Sequence, residues 1–149
     1  MPNLHPPLSG IPFALLSLAL LLELLCMWRE YSGLKTVARV NLRAAAIISI
    51  ATFFSGYFEA DSASVSFSVP EDALATHFVY GRASMCILLL TVAAEYLAAR
   101  ATHYPMLFRL LYYSLLLASM ALLSWTGWLG GELVFTHGAG VTAPIPPGT

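Results

Sequence analysis

Charge is what this sequence has least of. Asp, Glu, Lys and Arg make up 10% of its 149 residues, where soluble domains carry about 25%. Its two cysteines, Cys26 and Cys86, lack the paired spacing of a metal site, and each lies inside an apolar run. We read them as buried thiols with no disulfide. There is no glycine-rich phosphate loop and no basic patch, and the net charge is -1. Nucleic acid is therefore not an expected partner. No nucleophile stands beside a base and no carboxylate dyad is visible, so the chain reads as non-catalytic. What the sequence has in abundance is apolar surface, 58% of its residues.

Four runs approach or exceed the roughly 20 mostly apolar residues that a membrane-crossing helix needs: 11–28, 40–58, 80–99 and 107–128. The first is distinguished from a secretory signal because no positive charge precedes it and no A-x-A site lies before Trp28. We read it as a retained anchor. Six of the seven basic residues fall in two breaks between runs or in the first turn after them: Arg29, Lys35, Arg39 and Arg43 after the first run, Arg100 and Arg109 after the third. Lys and Arg favour cytoplasmic loops. Both termini and residues 59–72 then face outward, on the periplasmic side of a bacterial inner membrane. Glu59, Asp61, Glu71, Asp72 and Glu132 all fall on that side, with Arg82 the one basic residue there. The expected fold is all-α: a single-domain (1–149) integral membrane four-helix bundle, up-down-up-down, with the lipid bilayer as its solvent. No internal repeat is apparent.

Residues 60–68 are rich in Ser and Ala, and their alternation (Val65, Phe67, Val69) suggests a short extended piece. Ser68-Val-Pro-Glu71 has the form of a capping box, which starts helix three near Val69 and carries it to about Ala101. Residues 132–136 can continue helix four, while the Pro- and Gly-rich tail 139–149 reads as extended.

Glu23 and Glu95 each lie about five residues before the inner end of a span. Carboxylates at such depth face the bundle and pair, and Arg43 and Arg109 are the natural partners. Interhelical ion pairs are the plain reading; a proton relay is the alternative. Small residues (Ser55, Gly56, Gly81, Ser84, Ser124, Gly127, Gly130, Gly131) gather in the outer half. They permit close helix packing or leave room for a flat cofactor. His77 and Gly81 share a helical face, so that glycine would lie under the imidazole. At about 1.5 Å per residue, His5, His77 and His137 all fall within one outer layer. Imidazole ligates haem iron, copper and zinc alike. His103 has no companion. The aromatics at the same level (Tyr57, Phe58, Phe78, Tyr80, Trp125, Trp128, Phe135) form the belt that any membrane protein shows.

Two stretches are more specific. His5-Pro-Pro-Leu-Ser-Gly-Ile-Pro-Phe-Ala-Leu15 opens the chain, and Gly127-Trp-Leu-Gly-Gly-Glu-Leu-Val-Phe-Thr-His-Gly-Ala-Gly-Val141 closes the last span. Together they resemble the bacterial membrane-protein family known as domain of unknown function 2231. The resemblance covers nearly the whole chain. It implies a four-span bundle with a His-Pro start, a His at the head of the third helix and a Gly-Gly-x-Leu-Val-Tyr-x-His-Gly ending. His5, His77 and His137 match those positions, and Phe135 stands where Tyr is common. Gly10 occupies a position that is often a second His. Some relatives are joined to c-type cytochrome domains, which implies a redox setting.

These observations lead to an expected haem b near the outer face, with His77 and His137 as axial ligands and His5 supporting or replacing one of them. Gly81 would line the site, and Arg82 would meet a haem propionate or pair with Glu132. Electrons would pass between an outer cytochrome, of the c type in the relatives' setting, and the quinone pool or a partner complex of redox or membrane subunits. Two alternatives stay open: a cofactor-free scaffold or accessory subunit of a larger complex, and a copper or zinc site built from all three histidines.

Overall fold

A computed structural model describes residues 5–28, 31–67 and 69–139. They form four helices: α1 (His5–Trp28), α2 (Ser32–Phe67), α3 (Glu71–Arg100) and α4 (Pro105–Phe135). All four contain stretches long and apolar enough to cross a membrane. Neighbours run antiparallel around a square in the order α1, α2, α3, α4. Packing is most extensive within the α1–α2 and α3–α4 hairpins, and α1 and α3 stand on a diagonal with their backbones apart.

The helix ends follow local chemistry. Pro6 and Pro7 occupy the first turn of α1, where a missing N–H costs little. Pro12, inside α1 and buried, leaves the Leu8 carbonyl without its helical donor. Thr52 Oγ1 of α2 comes within 3.4 Å of that carbonyl, although its shorter bond, 2.9 Å, goes to Ile48 O. Pro105 begins α4. α4 ends where Gly138, at φ 68°, turns the chain back and its N–H reaches Val134 O at 3.0 Å. That left-handed conformation is one which L side chains rarely adopt.

Two boundaries differ from expectation. α2 stays helical to Phe67, so residues 60–67 are the end of a helix rather than an extended loop. Their Ala and Ser content is compatible with helix once a long α2 is already nucleated. α3 begins at Glu71 with Pro70 at its N-cap and no side-chain cap bond. Ser68, the other half of the expected capping box, lies outside the described residues, as does the tail beyond Ala139. Cys26 is buried, but Cys86 is exposed on the outward face of α3. An apolar run facing lipid on one side exposes half of what it contains.

The core is a file of small and branched side chains along the bundle axis: Leu16 and Ala19 of α1, Leu42 and Ala45 of α2, Leu88 of α3 and Leu116 of α4. Hydroxyl pairs cross between α3 and α4, with Ser84 against Thr126 and Thr91 against Ser119, each at 2.8 Å. Such pairs tie helices together where water is absent.

At one end of this file lie the two buried carboxylates. Glu95 is 3% exposed; its Oε2 accepts a bond from Arg43 at 2.8 Å, and Arg39 Nε lies 3.0 Å from its Oε1. The Arg39 contact is an ion pair without hydrogen-bond alignment, since that oxygen has no bonded partner. Glu23 is 5% exposed and accepts instead from the hydroxyls of Tyr112 at 3.0 Å and Tyr113 at 3.1 Å. The expected Arg109 pairing is thus replaced by two phenols, because α4 turns Tyr112 and Tyr113 toward α1.

Candidate functional site

The opposite end of the bundle holds three of the four histidines, His5, His77 and His137; His103 lies in the turn between α3 and α4 at the carboxylate end. His5 opens α1, and its ring lies against α2. Nδ1 is 2.9 Å from the Thr52 carbonyl and 3.2 Å from Ser55 Oγ. A carbonyl only accepts, so Nδ1 carries the proton and Nε2 keeps its lone pair. The backbone N–H of His5 also donates to Glu59 at 3.2 Å. His77, in the second turn of α3, lies against α4. The Thr126 backbone approaches its ring, yet its buried Nδ1 has no hydrogen-bond partner among the described residues. Leaving such a group unsatisfied costs about 1–3 kcal/mol.

The two imidazoles face each other across the diagonal. Their centroids are 6.0 Å apart and their planes cross at 85°. Each is seated on a glycine of its hairpin partner. A methyl group built on Gly56 would come within 2.8 Å of the His5 ring, and one on Gly130 within 3.1 Å of His77. Around the rings is a cavity of about 520 Å³ with mostly apolar walls, to which all four helices contribute.

The arrangement is a two-fold repeat. Shifting α1 by 72 residues places His5 on His77, Leu16 on Leu88 and Glu23 on Glu95. Shifting α2 by 74 residues places Thr52 on Thr126, Gly56 on Gly130 and Leu42 on Leu116. The chain is two hairpins built alike, each supplying one imidazole and one glycine seat to a site on the axis between them.

This geometry rearranges the expected site. His5 and His77 are together; His137 is not with them. It sits half-buried in the turn after α4 and is not among the residues lining the cavity. The chain reversal at Gly138 brings Ala139, rather than His137, to the cavity wall. Gly81 does line the cavity, but a methyl group built on it would meet only Thr126, at 3.9 Å, so it is not the seat of an imidazole. The residue above a helical glycine on its own helix does not press on it; the residue across the interface does. Arg82 is exposed, does not line the cavity and makes no ion pair with Glu132 among the described residues. No group of three His, Cys, Asp or Glu among the described residues is placed to hold a metal ion, so the three-histidine copper or zinc site is not formed.

The family described as "Predicted membrane protein (DUF2231)" matches residues 1–143. The chain belongs to the DUF2231 family. It is accordingly a multi-pass membrane protein, in agreement with its four apolar helices. No curated protein and no solved structure matches it. The DUF2231 description names a location and no chemistry, which leaves the chemistry to the residues of the cavity.

Sequence reading missed the seats and the repeat. The signal was present: a His precedes a Glu by eighteen residues in both α1 and α3. Between them the two stretches share few other identities, because lipid-facing positions accept any apolar residue.

The seats give a first prediction. Gly56→Ala and Gly130→Ala should each push an imidazole off its position, an overpacking cost of about 1–3 kcal/mol, while Gly81→Ala should be silent. Thermal unfolding in detergent reads the difference. Equal behaviour of all three variants would mean that the rings are not seated there.

Proposed function

We propose that this protein is an integral membrane electron-transfer subunit binding one haem b between its two hairpins, with His5 and His77 as axial ligands. One observation carries the reading: two imidazoles from diagonal helices oppose each other at 6.0 Å across an apolar cavity. Two imidazoles on one metal, with metal–nitrogen bonds of about 2.0–2.1 Å, place their ring centroids about 6.3 Å apart. The cavity falls within the roughly 300–1,000 Å³ of small-molecule sites. A bare ion would need neither that volume nor two glycine seats, whereas a planar macrocycle needs both. The approximate two-fold symmetry of the walls suits a ligand whose own core is symmetric.

Haem supplies a one-electron centre. The chain's residues hold it and set its surroundings. The Thr52 carbonyl fixes the His5 tautomer so that Nε2 points its lone pair away from α2, as ligating histidines usually require. Gly56 and Gly130 let the rings stand close to the helix backbones. Apolar walls keep water from the metal. The basic loops lie at the other end of the bundle, which favours placing the cavity on the outer side of a bacterial inner membrane. A c-type cytochrome there and the quinone pool are the proposed exchange partners.

The test is a dithionite-reduced minus oxidised visible spectrum of the detergent-purified protein, expressed with added haem, with metal analysis of the same sample. Sharp low-spin haem b bands are expected, together with the strongly anisotropic ferric resonance that near-perpendicular imidazole planes produce. A featureless spectrum without iron would overturn the reading and leave a cofactor-free accessory subunit in its place.

A further inference from the structure

The two-fold repeat is broken on one flank of the cavity. Between α2 and α3, Phe53 and Phe78 pack ring to ring at 5.2 Å and Tyr57 lies 5.8 Å from Phe78. This aromatic cluster closes that side. On the opposite flank, between α4 and α1, the equivalent positions are Gly127, Gly131 and Pro6. Gly127 has no neighbouring atom within 4 Å of where a side chain would begin, and the same is true of Gly10 across from it on α1. Exposure follows the same division. Every lining residue from α2 and α3 is buried or half-buried, while Pro6, Ser9, Gly10 and Phe13 of α1 and Gly127 and Phe135 of α4 are exposed. The cavity therefore opens sideways, toward lipid, between α1 and α4.

We infer that this flank is the portal by which a lipid-dissolved quinol reaches the site. The inference rests on the haem reading and names the electron donor for it. Three features select a quinol over a water-soluble donor. The opening faces the hydrocarbon rather than an aqueous surface, since Phe13 lies about fifteen residues, or ~22 Å, from the far end of α1. Its walls are apolar. Aromatic rings, Phe13 and Phe135, stand at its sides, both exposed, where they can stack on a flat head group. Oxidation of one quinol to quinone releases two electrons and two protons: the single ferric haem would take the electrons one at a time, passing the first to the outer cytochrome before accepting the second, and the protons would leave to the outer aqueous surface rather than through the lipid-facing portal.

Because the space at Gly10 and Gly127 is empty, larger side chains fit there without touching the imidazole seats. The experiment uses the full-length protein in lipid nanodiscs, comparing wild type with Gly10→Leu/Gly127→Leu. Haem reduction by duroquinol is followed by stopped flow, with dithionite as the reductant that needs no portal. A photoreactive azidoquinone then labels each protein, and the labelled peptides are mapped by mass spectrometry. Wild type should be reduced by duroquinol and labelled on α1 and α4 beside the portal. The double variant should keep its dithionite spectrum, lose labelling there and react with duroquinol at least about tenfold more slowly. Equal duroquinol rates in the two proteins, or labelling confined to the α2–α3 flank, would overturn the portal while leaving the haem intact. Portal labelling in a protein with no haem spectrum would instead sustain the lipophilic site and overturn the haem.

Discussion

His5→Ala and His77→Ala should each abolish the low-spin haem b bands of the purified protein, and His137→Ala should leave them unchanged. On the proposed haem reading both imidazoles are required, because six-coordinate, low-spin iron needs a strong-field ligand on each side, and among the described residues the only facing imidazole pair is His5 and His77. Loss of either leaves at most a five-coordinate site with different bands. His137 belongs to the turn that ends α4, away from the cavity lining, so its removal should cost neither iron nor fold. Size-exclusion elution and helical circular dichroism distinguish a lost ligand from a lost fold. The opposite pattern, with His137→Ala colourless and His5→Ala unchanged, would return the ligation to His77 and His137.

The second large effect lies at the other end of the bundle. Glu95 is 3% exposed and has two guanidinium groups against it. Arg39→Leu/Arg43→Leu would strand that carboxylate in an apolar interior. Breaking a buried pair in this way costs about 3–5 kcal/mol, because the remaining charge is uncompensated. Adding Glu95→Leu to the double variant should restore most of the loss, since the buried charge disappears with its partners. Neither change should touch the haem bands, as the two ends are separated by the Leu16, Leu42, Leu88 and Leu116 core. Reversible unfolding in mixed micelles measures the three proteins. A loss below about 1 kcal/mol in the Arg variant would show that the pair behaves as an exposed one.

Much of the architecture was legible because the bilayer allows few solutions. Four apolar runs with short polar breaks can only be helices, and helices with short turns can only run antiparallel. The level of the histidines was readable too, since helix rise converts residue count into depth. Their azimuth was not. Whether His77 meets His5 or His137 depends on how each helix is rotated about its axis, and lipid-facing helices apolar all round carry little periodicity to fix that rotation. The seats at Gly56 and Gly130 were hidden for the same reason: a glycine accommodates what lies on the neighbouring helix, which local sequence does not specify. Glu23 illustrates the point from the other end. Its burial followed from its depth, while its partners, Tyr112 and Tyr113, follow from packing.

The division into two hairpins has a consequence for biogenesis. Each hairpin carries its own imidazole and its own glycine, and His5 with Gly56 is complete before His77 has been synthesised. Chains are made and inserted from the N-terminus onward, so the first half waits in the bilayer as half a site. Closure requires Gly130, near the end of the last helix. On the proposed haem reading, cofactor insertion would be a post-translational step of the finished chain, and it would bridge across the diagonal two halves that otherwise meet only along the α2–α3 and α1–α4 seams.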